Sequence, residues 1–131
     1  MSEEKKAFAK SFMNRFHDFQ TTHTSRSEQA PRVKIVVLDT GLKSDDADIR
    51  ALCRTIERER RNRSRESKIN KSPIRITRNF TEDSDTDAEG HGTRVVELLL
   101  RLAPEADIYV AKISHEITTE VSDKRILEAR V

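Results

Sequence analysis

Cysteine occurs once in this chain, at Cys53, so no intrachain disulfide can form, and the start MSEEKKAFAK is charged where a secretory signal would be apolar. A cytoplasmic chain is the resulting expectation. No window approaches the roughly 20 consecutive apolar residues that a membrane span needs, which excludes a transmembrane reading. Apolar residues are also scarce, at 34% against 37% charged. The core available to offset the conformational entropy of ordering the chain is therefore small, and marginal stability is expected. Glycine is rare, with three in 131 residues. The length suits one compact domain, since domains typically run about 100 to 150 residues.

What is present is unevenly laid out. The formal net charge of +2 conceals seven arginines between Arg50 and Arg65 and five acids between Glu82 and Glu89. Phe8, Phe12, Phe16 and Phe19 recur at helical spacing, so residues 3–20 read as an amphipathic helix, followed by the polar linker TTHTSRSEQAP. This predicts an N-terminal segment, 1–30, ahead of a domain at 31–131. The phenylalanine stripe fits docking onto its own or a preceding domain, and a partner-binding or membrane-surface helix shares the pattern.

Residues 33–38 are nearly continuous apolar and β-branched, the pattern of a strand covered on both faces, as in parallel sheets. The strand leads into Asp39-Thr40-Gly41. Residues 46 to about 61 read as a helix with Ile49, Leu52, Cys53 and Ile56 on its buried side. Pro73 opens a second strand at 74–80. A Val- and Leu-rich helix at 91–102 stops before Ala103-Pro104, because the residue preceding proline avoids helical geometry. A third strand is expected at 107–113 and a last helix at about 119–130. Strands alternating with helices predict an α/β class with a mostly parallel, partly doubly wound sheet.

Functional groups in open α/β sheets collect beyond the carboxyl ends of the strands, and Asp39 stands at such an end. His91 lies between Gly90 and Gly92 at a helix start, where neighbours without side chains would let a substrate backbone approach. The helix dipole there disfavours imidazolium and is expected to keep the base neutral. A carboxylate that fixes an imidazole tautomer and stabilises the imidazolium formed in reaction is the Asp-His half of a serine-peptidase triad.

These residues sit in longer stretches: VKIVVLDTGL around Asp39, RNF before the acidic loop, and EGHGTRVVELLLRLAPEADIYVAKI around His91. Together they resemble the subtilase family of serine peptidases over residues 33–130, that is, the front part of its catalytic domain. Subtilases order their triad Asp, His, Ser. The resemblance implies a subtilisin-like sheet, serine-type endopeptidase activity, a peptide or protein substrate for the full domain, and Asp39 and His91 as the catalytic Asp and His. It implies no cofactor and no metal at this site.

The departures are specific. Arg94 stands where many members have a second histidine. Val96 and Glu97 stand where small residues let the helix pack closely on the sheet, and crowding there is expected to displace His91. A shift of about 1 Å can cost on the order of a hundredfold in rate. The oxyanion-hole asparagine and the Gly-Thr-Ser nucleophile segment have no counterpart. No glycine follows Gly92, and the later serines, Ser114 and Ser122, match neither motif. The chain alone is therefore expected to be inactive, as a partial peptidase or a non-catalytic, protease-like binding or degenerate module.

Three other patterns compete. Asp-Thr-Gly after an apolar run also marks retroviral-type aspartic proteases, which would use Asp39 paired across a dimer. That fold is nearly all β with a glycine-rich flap, against three glycines and four helical stretches here. Asp83, Asp85, Asp87 and Glu89 imitate alternating calcium ligands, but Ala88 occupies the glycine turn and Arg94 the twelfth position, so a solvated loop is expected. The helix RALCRTIERERRNRSR has arginines for phosphates, but Glu57, Glu59 and Glu66 interrupt the basic run and no aromatic is present for stacking. A solvated, salt-bridged face and no nucleic-acid partner are expected. A truncated sheet would leave an edge open to self-association.

Overall fold

The computed structural model of the chain describes residues 2–23, 31–63, 71–84 and 86–116. The helix expected at about 119–130 lies outside the described residues, as does Ser122. The chain divides into two units, Met1–Ala30 and Pro31–Val131.

The first unit is α1 (Glu3–His23), three residues longer than the stripe predicts. Glu3 and Glu4 place negative charge at its N-terminus, where the helix dipole favours it. Phe12 and Phe16 stack with ring centroids 6.2 Å apart. Taken by itself, the helix leaves Phe8, Phe12 and Phe19 more than half exposed.

The second unit is a mixed α/β fold. In chain order it contains β1 (Lys34–Asp39), α2 (Ala47–Arg63), β2 (Ile74–Asn79), α3 (His91–Leu102) and β3 (Asp107–Lys112). The strands form a parallel sheet in the order β1-β3-β2. Ile35 pairs with Ile108 and Val37 with Val110, so their side chains share one face. Both Asp39 and Asn79 pair with Lys112, which brings the three carboxyl ends level. Asp46 caps α2, its Oδ1 accepting from the backbone N–H of Asp48 at 3.0 Å and of Ile49 at 3.2 Å.

One core holds the unit together. Val37, Ile108 and Val110 of the sheet pack with Ile49 and Ile56 of α2 and with Val96 and Leu100 of α3. Both helices therefore cover the same face. The connection from β1 to β2 and the return from β2 to β3 cross the sheet in opposite directions. With their helices on one face, the two crossovers have opposite hands, so one is left-handed, an arrangement rare among parallel connections.

The opposite face differs from the expectation that β1 is covered on both sides. Val36 is 42% exposed, Leu38 40% and Ile76 41%. The reason is topological: among the described residues of this unit β1 is an edge strand and the helices lie on one face of the sheet. No helix among the described residues is long and apolar enough to cross a membrane.

The arginine-rich helix also departs from a uniformly solvated face. Arg61 and Glu57, and Arg63 and Glu59, pair one turn apart as expected. Arg60 instead is buried, with 1% of its side chain exposed. Its guanidinium donates to the carbonyls of Lys71, Ser72, Pro104 and Ala106 and to the Asp107 carboxylate. The planar fork binds the entries to β2 and β3 to the end of α2, which a lysine could not do.

Candidate active site

Asp39 is the last residue of β1, and beyond it the chain turns through Thr40 and Gly41, the latter at φ 111°. The Thr40 backbone N–H donates to Asp39 Oδ1 at 2.7 Å, which fixes the carboxylate at the strand end. His91 is the first residue of α3, entered through Gly90 at φ 83°, a left-handed conformation that glycine adopts without penalty. The two side chains meet across the carboxyl edge of the sheet. His91 Nδ1 lies 2.8 Å from Asp39 Oδ1 and 3.0 Å from Oδ2. With the carboxylate as acceptor, Nδ1 carries the proton and Nε2 is left as the basic nitrogen. The Asp39 side chain is 15% exposed and that of His91 45%, so a shielded anion holds an accessible base.

The hydrogen bond to Asp39, followed by the charge of that carboxylate, raises the His91 pKa above its ordinary value, and Glu89 and Asp87 add to the effect. This shift runs opposite to the one expected from the helix dipole alone. A full carboxylate charge in hydrogen-bond contact outweighs the roughly half charge spread over a helix N-terminus.

The loop after β1 and the start of α3 are sewn together by groups that local sequence reading did not single out. Gly92 N–H donates to Thr40 Oγ1 at 3.1 Å, and Lys43 N–H donates to Thr93 Oγ1 at 2.9 Å. Asp87 is 4% exposed and accepts from Thr93 N–H at 2.7 Å, Thr93 Oγ1 at 2.6 Å, Thr40 Oγ1 at 2.8 Å and Gly90 N–H at 2.9 Å. Backbone donors in the first turn of α3 thus find distant partners. Burial works against the charge of Asp87, but the bonds from Thr93, Thr40 and Gly90 prevail and hold its pKa below the usual carboxylate value. Of these contacts, the turn from Asp87 to Gly90 had a local signal, an aspartate three residues before a glycine. The partnership with Thr40, 47 residues away, had none.

Several expectations are revised here. Gly92 makes room for its own chain rather than for a substrate, since a Cβ there would collide with the Gly41 carbonyl. Val96 does not displace His91, whose Nδ1 stays 2.8 Å from Asp39; Val96 is fully buried in the core, while the close approach of α3 is made at Gly92 against the turn at Gly41. The acidic run is not uniformly solvated, because Asp87 turns inward and spends its oxygens on protein donors. Asp83 lies 3.4 Å from His115 at the surface, and Asp85 lies outside the described residues. Lys112 is 1% exposed and donates from Nζ to the carbonyls of Ser84 at 2.7 Å and Thr86 at 2.9 Å, anchoring this loop over the sheet end. Among the described residues, no group of three His, Cys, Asp or Glu side chains could hold a metal ion.

Ser114 is buried just beyond β3, and its hydroxyl donates to the Glu116 carbonyl. Arg94 and Arg101 both reach Glu97 along α3, at 2.7 Å and 2.9 Å. Fold and site together define an α/β unit with an Asp-His couple at the carboxyl edge of a parallel sheet. No protein-family model, curated protein or solved structure matches the chain.

Proposed function

We propose that residues 31–131 are the Asp-His portion of a subtilisin-like serine-type endopeptidase domain, with Asp39 and His91 as its proton-handling pair. The observation that carries this reading is the 2.8 Å contact from Asp39 to His91 Nδ1 at the sheet's carboxyl edge. In this role Asp39 orients the imidazole, and Nε2 takes the proton of an attacking hydroxyl and later returns it to the leaving amine. The parallel α/β sheet and the pairing of Asp39 with an imidazole speak against the aspartic-protease alternative, which needs a second carboxylate.

The family's Gly-Thr-Ser nucleophile segment has no counterpart in the sequence. Ser114 points its hydroxyl at a backbone carbonyl, which favours a chain that is inactive alone and acts as part of a larger catalytic domain or as a protease-like binding module. The test is a titration with a short extended peptide followed by NMR, beside fluorophosphonate labelling. Shifts at Thr40, Gly90, His91 and Gly92 with no labelled serine are expected. Stoichiometric labelling of Ser114 or Ser122 would overturn the reading of a chain inactive alone, and an absence of shifts at the Asp39 turn and the α3 start would remove the peptidase reading.

A further inference from the structure

We propose that Asp87 is a positioning residue: a buried carboxylate that holds the Asp39 turn and the His91 helix start in one geometry. The proposal rests on reading Asp39 and His91 as a proton-handling pair, but not on peptide hydrolysis.

Asp39 and His91 belong to segments 52 residues apart, and their own contact is half exposed. A single contact open to water is a weak clamp for two chain segments, because solvent competes for both partners. The bonds made by Asp87 are buried. Oδ1 takes the Thr40 hydroxyl at 2.8 Å, the shorter of that hydroxyl's two contacts, the other being Asp39 Oδ1 at 3.2 Å, and Thr40 is also bonded through its backbone N–H to Asp39. Oδ2 takes both donors of Thr93, two residues after His91, and Oδ1 also takes the N–H of Gly90, the residue before it. One carboxylate therefore grips the neighbours of both members of the pair. The Thr40 hydroxyl completes the link by accepting from Gly92 N–H. Ionised carboxylates hold such donors more strongly than neutral acceptors do, and burial removes competing water.

Charge alone would make a different prediction. Asp87 and Glu89 both act on His91 through space, Glu89 the more strongly. A carboxylate acting by charge would therefore matter no more than Glu89, whereas a clamp would matter more.

The test is NMR of the full chain, following the titration of the His91 ring and the solvent exchange of its Nδ1 proton in Asp87→Asn, Glu89→Gln, Thr40→Val and Thr40→Ser. Asp39→Asn provides the limit of complete uncoupling. If that variant leaves His91 unchanged, the pair itself is misread, an outcome distinct from failure of the clamp. Asp87→Asn is expected to lower the His91 titration midpoint further than Glu89→Gln does. It should also speed Nδ1 proton exchange by roughly tenfold, the consequence of losing a charged hydrogen bond. Thr40→Val should shift His91 in the same direction, and Thr40→Ser, which keeps the hydroxyl, should match the wild type. A folded Asp87→Asn protein that moves His91 no more than Glu89→Gln does, with Nδ1 exchange unchanged, would overturn the proposal. Where Asp87→Asn does not fold, the threonine pair decides: identical His91 behaviour in Thr40→Val and Thr40→Ser overturns it.

Discussion

The carbonyl of Gly41 lies against the Cα of Gly92, so closely that any side chain at position 92 would strike backbone. This contact seats the start of α3 on the turn that follows Asp39. Gly92→Ala must push the two segments apart, and overpacking of this kind costs about 1–3 kcal/mol. Gly90→Ala meets open space but must hold a left-handed backbone, at about 1–2 kcal/mol. Urea unfolding should show both losses. Only Gly92→Ala should also break the Asp39–His91 contact, seen as a lowered His91 titration midpoint.

The pH dependence of the pair follows from the direction of the His91 shift. Its pKa in the folded chain stands above the unfolded value, so the protonated ring stabilises the fold. That contribution is complete below the unfolded value of 6.5 and is lost as pH rises through the raised folded value. Asp39→Asn should remove most of this dependence, leaving the smaller part that Glu89 and Asp87 contribute. Thermal melts from pH 5 to 9, a range of about two units either side of neutrality, check it.

Asp87 carries the opposite sign. Its folded pKa is lowered, so its stabilisation is present above the unfolded value of 3.8 and disappears as pH falls through the folded value. Acid should therefore loosen the start of α3 before the hydrophobic core. Hydrogen exchange at Gly90 and Thr93 should quicken below about pH 4, near the ordinary carboxylate range, ahead of exchange at Val110.

Arg60 is the second polar anchor, remote from the site. Arg60→Ala strips the guanidinium from five acceptors at the entries to β2 and β3, and breaking a buried charged network costs about 3–5 kcal/mol. In a chain with so small a core, that loss should unfold most molecules at 37 °C, a large fraction of the 5–15 kcal/mol typical of native proteins. Far-UV circular dichroism reads the outcome, and Arg60→Lys should recover little of it.

Among the described residues, β1 and β2 are both edge strands, and Val36, Leu38 and Ile76 lie 40–42% exposed on one sheet face. Unpaired backbone beside an apolar face favours association between chains. Size-exclusion chromatography should show concentration-dependent self-association, reduced by Leu38→Lys or Ile76→Lys. A clean monomer melting sharply above about 65 °C, the upper end for ordinary mesophile domains, would contradict this expectation and that of marginal stability.

Local pattern was enough to reveal the described elements of the second unit. Val33 to Leu38, the Ile and Leu spacing of α2 and the Val- and Leu-rich α3 announce themselves because side chains repeat with the period of the backbone that carries them. The ends were less legible: β1 begins at Lys34 and includes Asp39, and α2 runs on to Arg63. Those limits depend on pairing with β3 and on the anchoring of Arg60, neither of which is local. Asp39 and His91 were legible as candidates because Asp39 closes an apolar strand two residues before Gly41, and His91 opens a helix between Gly90 and Gly92. Asp87 was read as part of a solvated acidic run because its charge, taken alone, belongs in water.

The sequence by itself determined the alternation of strand and helix, the scarcity of core and the two residues on which the chemistry is proposed to rest, since all are properties of neighbouring residues. Tertiary structure alone decided that β3 lies between β1 and β2 and that both crossover helices share a face, which makes one crossover left-handed. It also decided that Asp87 and Thr40, 47 residues apart, share a buried hydrogen bond. These outcomes depend on which apolar faces meet and which buried donors then need acceptors. That is settled between distant segments when the core closes, and no local pattern encodes it.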